Sequence, residues 1–190
     1  MAQGHGQVNT PLKNIYLTGF MCAGKTTAGR ALARLLRRPF ADSDAIIERR
    51  LGRSIYDLVK EEGLAAFRRK EAALVKELAA AGGRVVALGG GVYPSRRWRG
   101  LLERSGIVVL LTCRWPELER RLEAGRALRP LLSGGPGRAA ARATKLYATR
   151  LPHYRRATIT VDTSGLKPAQ AAALIKKELA RLGRAAKKGK

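Results

Sequence analysis

Cysteine, histidine and methionine are scarce in this chain of 190 residues, each occurring twice. Cys22 and Cys113 have no metal-ligand spacing, which excludes a zinc scaffold, and without an export signal a structural disulfide is not expected. Long apolar runs are missing too. The longest, from Ile107 to Leu111, is far too short to span a bilayer, and the opening stretch MAQGHGQVNTPLKN lacks the apolar centre of a signal peptide. The expectation is a cytosolic protein with no membrane partner. Aromatic residues make up only 5% and are not interleaved with basic ones as stacking platforms would be, which counts against specific nucleic-acid binding. Acid is short as well: 14 Asp and Glu stand against 38 Lys and Arg, a formal net charge of +24. The arginines recur beside alanine and leucine on helix-like stretches, as solvated helix faces do. The closing GRAAKKGK, residues 183–190, has no apolar pattern and reads as a disordered basic tail that attracts polyanions without specificity.

An apolar fraction of 45% in a chain of this length is enough for one domain with a buried core, placed at residues 1–182. Short β-like runs at 14–18, 40–42, 85–88, 107–112 and 158–162 alternate with helical patterns at 25–36, 45–51, 95–103, 116–122 and 168–182. That alternation predicts an α/β fold of three layers, a parallel sheet with helices on both faces. Ser54 is placed to cap a helix running to about Glu62, and Gly82-Gly83 stops a longer helix begun near Leu64. These helices fall outside the alternation and predict a flap over the sheet ends, at about 44–81. Residues 124–137, AGRALRPLLSGGPG, mix arginine, glycine and proline with a short apolar insert and read as a mobile lid.

The stretch GFMCAGKTT, residues 19–27, carries the clearest chemistry. Gly19, four residues, then Gly24, Lys25 and Thr26, set after a strand and before a helix, is the P-loop spacing. The glycines let the backbone N–H groups of residues such as Cys22 and Ala23 face a polyphosphate, and the helix N-terminus adds favourable partial charge. Lys25 is expected at the β- and γ-phosphates and the Thr26 hydroxyl on magnesium, with Thr27 following in the loop. An ordinary glycine-rich turn is the plainer alternative, which the strand–loop–helix context opposes. Cys22 sits near a lysine and a helix N-terminus, surroundings that favour thiolate, although its size also suits a buried spacer.

Beyond the phosphates the chain offers Asp42-Ser43-Asp44 directly after the second strand, where side chains point into the ligand crevice of an open α/β sheet. One carboxylate can hold magnesium while the other orients an acceptor hydroxyl and takes its proton; helix capping by one of them is the bland alternative. In AAFRRKEAAL, Arg68 and Glu71 lie one turn apart, so the acid can aim the guanidinium, or the two form only an exposed salt bridge. Gly89-Gly90-Gly91 then presents bare backbone N–H groups to an anion or hydroxylated ligand.

Taken together, these residues resemble the shikimate kinase family, from Ile15 to about Leu182. The segments GFM.AGKTT, DSD, GRSIYDL, FRRKE, LGGGV, RPLL, RLPHYRRA and VDTSG fall in the family's order and approximate spacing. The resemblance implies a nucleoside-monophosphate-kinase-like P-loop fold with five parallel strands in the order 2-3-1-4-5. It implies transfer of the ATP γ-phosphate to a ring hydroxyl of shikimate, in chorismate biosynthesis, by a monomer using Mg2+. It also implies roles. Thr26 and Asp42 serve magnesium, Asp44 binds acceptor hydroxyls and acts as base, and Lys25 and Arg129 carry charge on the transferred phosphoryl group. Arg68 and Arg150 clamp the substrate carboxylate, with Phe67, Glu71 and Gly90 nearby. Arg129 moves with the lid, and Arg121 and the stretch after Asp162 neighbour the adenine.

The chain departs from the family pattern at three positions: Cys22 replaces a usual glycine, Val59 a common pocket phenylalanine, and Leu64 a frequent glutamate. Losing an aromatic side chain loosens or reshapes the acceptor pocket. The alternatives are a kinase of the same fold acting on homoserine or gluconate, and a non-catalytic nucleotide- or nucleic-acid-binding module. Retention of Lys25, Asp44 and Arg129 speaks against the last.

Overall fold

The strands carry apolar residues at consecutive positions because helices cover both faces of the sheet. In the computed structural model, which describes residues 12–124 and 136–188, they are β1 (Asn14–Thr18), β2 (Phe40–Asp42), β3 (Val85–Ala87), β4 (Gly106–Thr112) and β5 (Ile159–Asp162). All pair in parallel in the order β2-β3-β1-β4-β5, as the family resemblance implies. The two-residue period of the strands sorts side chains between two cores. Ile15, Leu17, Val109, Leu111 and Val161 face α1 (Lys25–Leu36) and α7 (Pro168–Lys188). Tyr16, Val86, Val108 and Leu110 face the other way. That second core is closed by α2 (Ser43–Leu51), α3 (Ile55–Ala81), α4 (Arg96–Ser105), α5 (Trp115–Ala124) and α6 (Pro136–Tyr154).

The expected break in the flap is present. Ser54 Oγ accepts the Asp57 N–H at 3.0 Å as the N-cap of α3, and Gly63, at φ 80° and ψ 166°, divides α3 into two helices across a kink. The longer part ends at Gly82, as the sequence indicates. Two boundaries differ instructively. Helix α2 begins at Ser43, not at residue 45, because Asp42 Oδ1 accepts both the Asp44 and Ala45 N–H groups and so starts the helix directly after the strand. Helix α7 continues to Lys188, so the tail expected to be disordered from Gly183 is helical up to that residue. Alanine, arginine and lysine are strong helix formers, and Gly183 alone does not outweigh them. The lid's RPLL segment and Arg129 lie outside the described residues.

Candidate active site

The carboxyl ends of β1, β2 and β3 open into a cavity of about 770 Å³, the position at which open parallel sheets bind ligands. Its floor is the loop joining β1 to α1. Gly24 takes a left-handed conformation, φ 88° and ψ 15°, at the N-cap of α1, turning the chain so that the first N–H groups of the helix are unspent. Cys22 also has positive φ, 62°, a conformation costing an L-residue roughly 1–2 kcal/mol, which gives a physical reason for glycine being usual there. Lys25 Nζ folds over the loop and donates to the carbonyls of Gly19, at 3.0 Å, and Phe20, at 2.9 Å. Gly19 contributes that carbonyl and is not itself part of the cavity wall, whereas Cys22, Ala23, Gly24, Lys25, Thr26 and Thr27 are.

Thr26 Oγ1 donates to Asp42 Oδ2 at 2.6 Å, bringing a hydroxyl from α1 and a carboxylate from β2 together beside the loop. These are the hard oxygen donors that magnesium takes. The ion usually completes its shell with water and substrate phosphate, so one or two protein oxygens suffice. Among the described residues there is no group of three or more His, Cys, Asp or Glu able to cage a metal. Asp42 therefore combines the capping role with a position suited to the ion.

Asp44 is partly buried at the cavity wall. Burial first, and the neighbouring Asp42 carboxylate second, push its pKa from 3.8 up to about 6, with the Lys25 ammonium pulling the other way. Ser43, fully buried between the two aspartates, accepts the Gly89 N–H at 2.8 Å and lies 3.4 Å from Asp44 Oδ1, tying Asp44 to the glycine loop. That loop is bare because its neighbours crowd it. A Cβ on Gly89 would stand 2.7 Å from Asp44 Oδ1 and 3.0 Å from Glu71 Oε1, and one on Gly91 would stand 2.7 Å from the Arg68 guanidinium. Arg68 and Glu71 form an ion pair at 2.5 Å, but not an exposed one: Glu71 is 3% exposed and its Oε1 is buried without a partner. Phe67 packs in the core beneath, its ring 5.1 Å from the Arg68 guanidinium carbon. Arg150, from α6, joins this wall.

At the opposite end Arg121 Nη1 donates to the Cys22 carbonyl at 3.2 Å, and Cys22 Sγ donates to the Arg121 carbonyl at 3.3 Å. Glu117 orients the guanidinium and accepts the Gly165 N–H. Leu166, Pro168 and Ala171, which follow β5, complete an apolar recess there.

The structure thus gathers the expected residues around one cavity, except Gly19 behind it and Arg129 outside the described residues. It adds three that sequence reasoning missed. Besides Ser43, Tyr154 is buried on α6 and donates to the Gly90 carbonyl; its place one turn after Arg150 was a usable signal. Thr163 Oγ1 lies 3.2 Å from the Ala23 carbonyl and 2.8 Å from that of Thr112, bracing the loop from β5.

Comparison with known proteins agrees with this geometry. The family model described as shikimate kinase matches residues 21–180. A shikimate kinase of Thermobifida fusca is 44% identical over 168 residues, 88% of this chain and 95% of that protein. The shikimate kinase of Acinetobacter baumannii, solved in complex with shikimate, superposes with a TM-score of 0.84 at 36% identity, covering 90% of this chain and 94% of the other. The enzyme of Bacteroides thetaiotaomicron gives 0.80 at 30% identity, covering 88% and 98%. With the P-loop, Asp44 and the guanidinium groups of Arg68 and Arg150 converging on one cavity, and relatives matched along nearly their whole length, the chain belongs to the shikimate kinase family of ATP-dependent kinases.

Proposed function

We propose that this protein transfers the γ-phosphoryl group of ATP to a ring hydroxyl of shikimate, in the cytosol, as a monomer without a sequence-specific nucleic-acid partner. The observation that carries the reading is the convergence of Asp44, Glu71, Arg68 and Arg150 on the wall of the cavity whose floor is the P-loop. Arg68 and Arg150 grip the acceptor carboxylate, and Glu71 Oε2 holds Arg68 in direction. Glu71 Oε1, buried and unpartnered, is free to accept an acceptor hydroxyl. Asp44 aligns the reacting hydroxyl and takes its proton, its raised pKa making it a better base than an ordinary aspartate. Lys25 leaves the Gly19 and Phe20 carbonyls for the phosphates, and Arg129 adds charge when the lid excludes water. Thr26 and Asp42 would hold Mg2+, which supplies charge neutralisation on the phosphates when bound.

The test is ADP release with Mg-ATP and shikimate, homoserine or gluconate, against a blank without acceptor. Turnover with shikimate alone supports the assignment. Ile55, Val59 and Leu64 form an apolar stretch of the acceptor wall, with Leu64 44% exposed, so turnover with either other acceptor but not shikimate would transfer the reading to that acid.

Arg68→Ala is expected to raise the shikimate KM by about 10-fold or more through loss of a charge-assisted hydrogen-bond pair, with the ATP KM little changed. An unchanged shikimate KM rejects the clamp. Tyr154→Phe leaves the part-buried Gly90 carbonyl without its tyrosine donor and is expected to raise the same KM several-fold, by about 1 kcal/mol. Equal effects on the two substrates would mark Tyr154 as merely structural.

A further inference from the structure

Phosphoryl transfer leaves the positive charge of the chain unexplained, and that charge is not evenly laid out. Helices α1 and α7 cover the same face of the sheet, and Glu178 is the only acid on either. Arg30 and Arg34 on α1, with Arg37 at its cap, and Lys177, Arg181 and Arg184 on α7 are all exposed. On α7 the three follow the spacing i, i+4, i+7 and make one stripe roughly 10 Å long on the outer side of the helix, while on α1 Arg30, 5.8 Å over the Phe40 ring, and Arg34 are one turn apart, with Arg37 following at the left-handed cap. Within the described residues only Arg181 of the six has an ion pair, a loose one of 3.9 Å to Glu178. None of the six lines the cavity.

The chemistry of the layer narrows what it can meet. Neither helix carries an aromatic residue for base stacking, which disfavours single strands. Between Lys176 and Lys188 there is no hydroxyl or amide side chain to read bases or a ribose 2′-hydroxyl. Leu35, 43% exposed, is the only large apolar side chain the two helices expose among the described residues, too little for membrane insertion or a protein hot spot. Two neighbouring sets of exposed cations with nothing else to offer complement an array of phosphates. We propose that the α1–α7 face docks the phosphate backbone of duplex DNA, irrespective of base sequence.

The test is fluorescence anisotropy of a short labelled DNA duplex titrated with the intact protein over a series of salt concentrations. A triple reversal on the face, Arg34→Glu with Lys177→Glu and Arg181→Glu, is compared with an isocharged reversal elsewhere, Arg49→Glu with Lys70→Glu and Arg104→Glu. The face variant is expected to bind about 10²-fold more weakly, with the slope of log affinity against log salt reduced by roughly 0.9 for each phosphate no longer neutralised. The control is expected to weaken far less, and both should retain kinase turnover. The milder set Arg34→Gln, Lys177→Gln and Arg181→Gln reads the same slope should the reversal disturb folding. Equal weakening in face and control variants would overturn the proposal, leaving only net charge. So would failure of the unmodified protein to bind at moderate salt, or tighter binding to single strands, duplex RNA or anionic vesicles.

Discussion

Asp44→Asn is expected to slow turnover by about 10²–10⁴-fold, the range that a positioned general base contributes, while making the folded protein more stable at neutral pH. Both effects have one origin. The pKa of Asp44 rises from 3.8 to about 6 because burial and Asp42 disfavour its charge. The folded state therefore holds this proton more tightly than the unfolded chain, and the stabilisation this gives is complete below about 3.8 and lost as pH rises through about 6. Above that window the carboxylate costs the fold on the order of 1–3 kcal/mol, which asparagine does not. Melting temperatures measured well below and well above pH 6 should show the variant gaining on the parent protein as pH rises. In the parent enzyme kcat/KM should fall on the acid side of that same region, as Asp44 takes up its proton. Near-normal kcat in the variant would remove Asp44 from the chemistry, and a melting difference independent of pH would remove the strained charge.

Lys25→Ala should cost about 10²–10³-fold in kcat, since it deletes the loop's own cation from a transition state that depends on positive charge around the transferred group. A second consequence separates this variant from a simple loss of binding. The Lys25 ammonium lowers the pKa of Asp44, so its removal should move the acid limb of the residual activity to higher pH. Single-turnover rates across the pH range measure both. Wild-type rates, or an unmoved acid limb, would contradict the placement of Lys25 between donor and base. Arginine at this position should not restore activity, because its planar fork differs in shape from a compact ammonium.

How far the sequence alone discloses these features depends on the range of each interaction. The P-loop is legible because its geometry comes from consecutive residues: Gly24 in a left-handed turn, then the helix start. The flap break is legible for the same reason, from the Ser54 cap and the change of pattern near Gly63. Strand order is not, since periodicity says which segments are strands and leaves their neighbours open; family resemblance supplies it. Ser43 and Thr163 stay hidden because their partners are 46 and 140 residues away, while Tyr154, whose partner is 64 residues away, is marked locally only by its place one turn after Arg150. Helix α7 shows the opposite case: its apolar pattern fades at Gly183, yet propensity alone carries the backbone on to Lys188.

The non-helical residue at Gly63 has a bearing on how the acceptor pocket of such an enzyme can be redesigned. Ile55 and Val59 stand before it, while Phe67, Arg68 and Glu71 stand after it on a segment anchored by Leu74, Val75 and Leu78. Two of the three apolar wall residues, Ile55 and Val59, thus hang on a different piece of backbone from Arg68 and Glu71, the groups proposed to meet the acceptor carboxylate, and only Leu64 shares theirs. On the proposed roles, a designer randomising positions 55, 59 and 64 would vary the shape of the acceptor wall while leaving Asp44, Arg68, Glu71 and the P-loop in place.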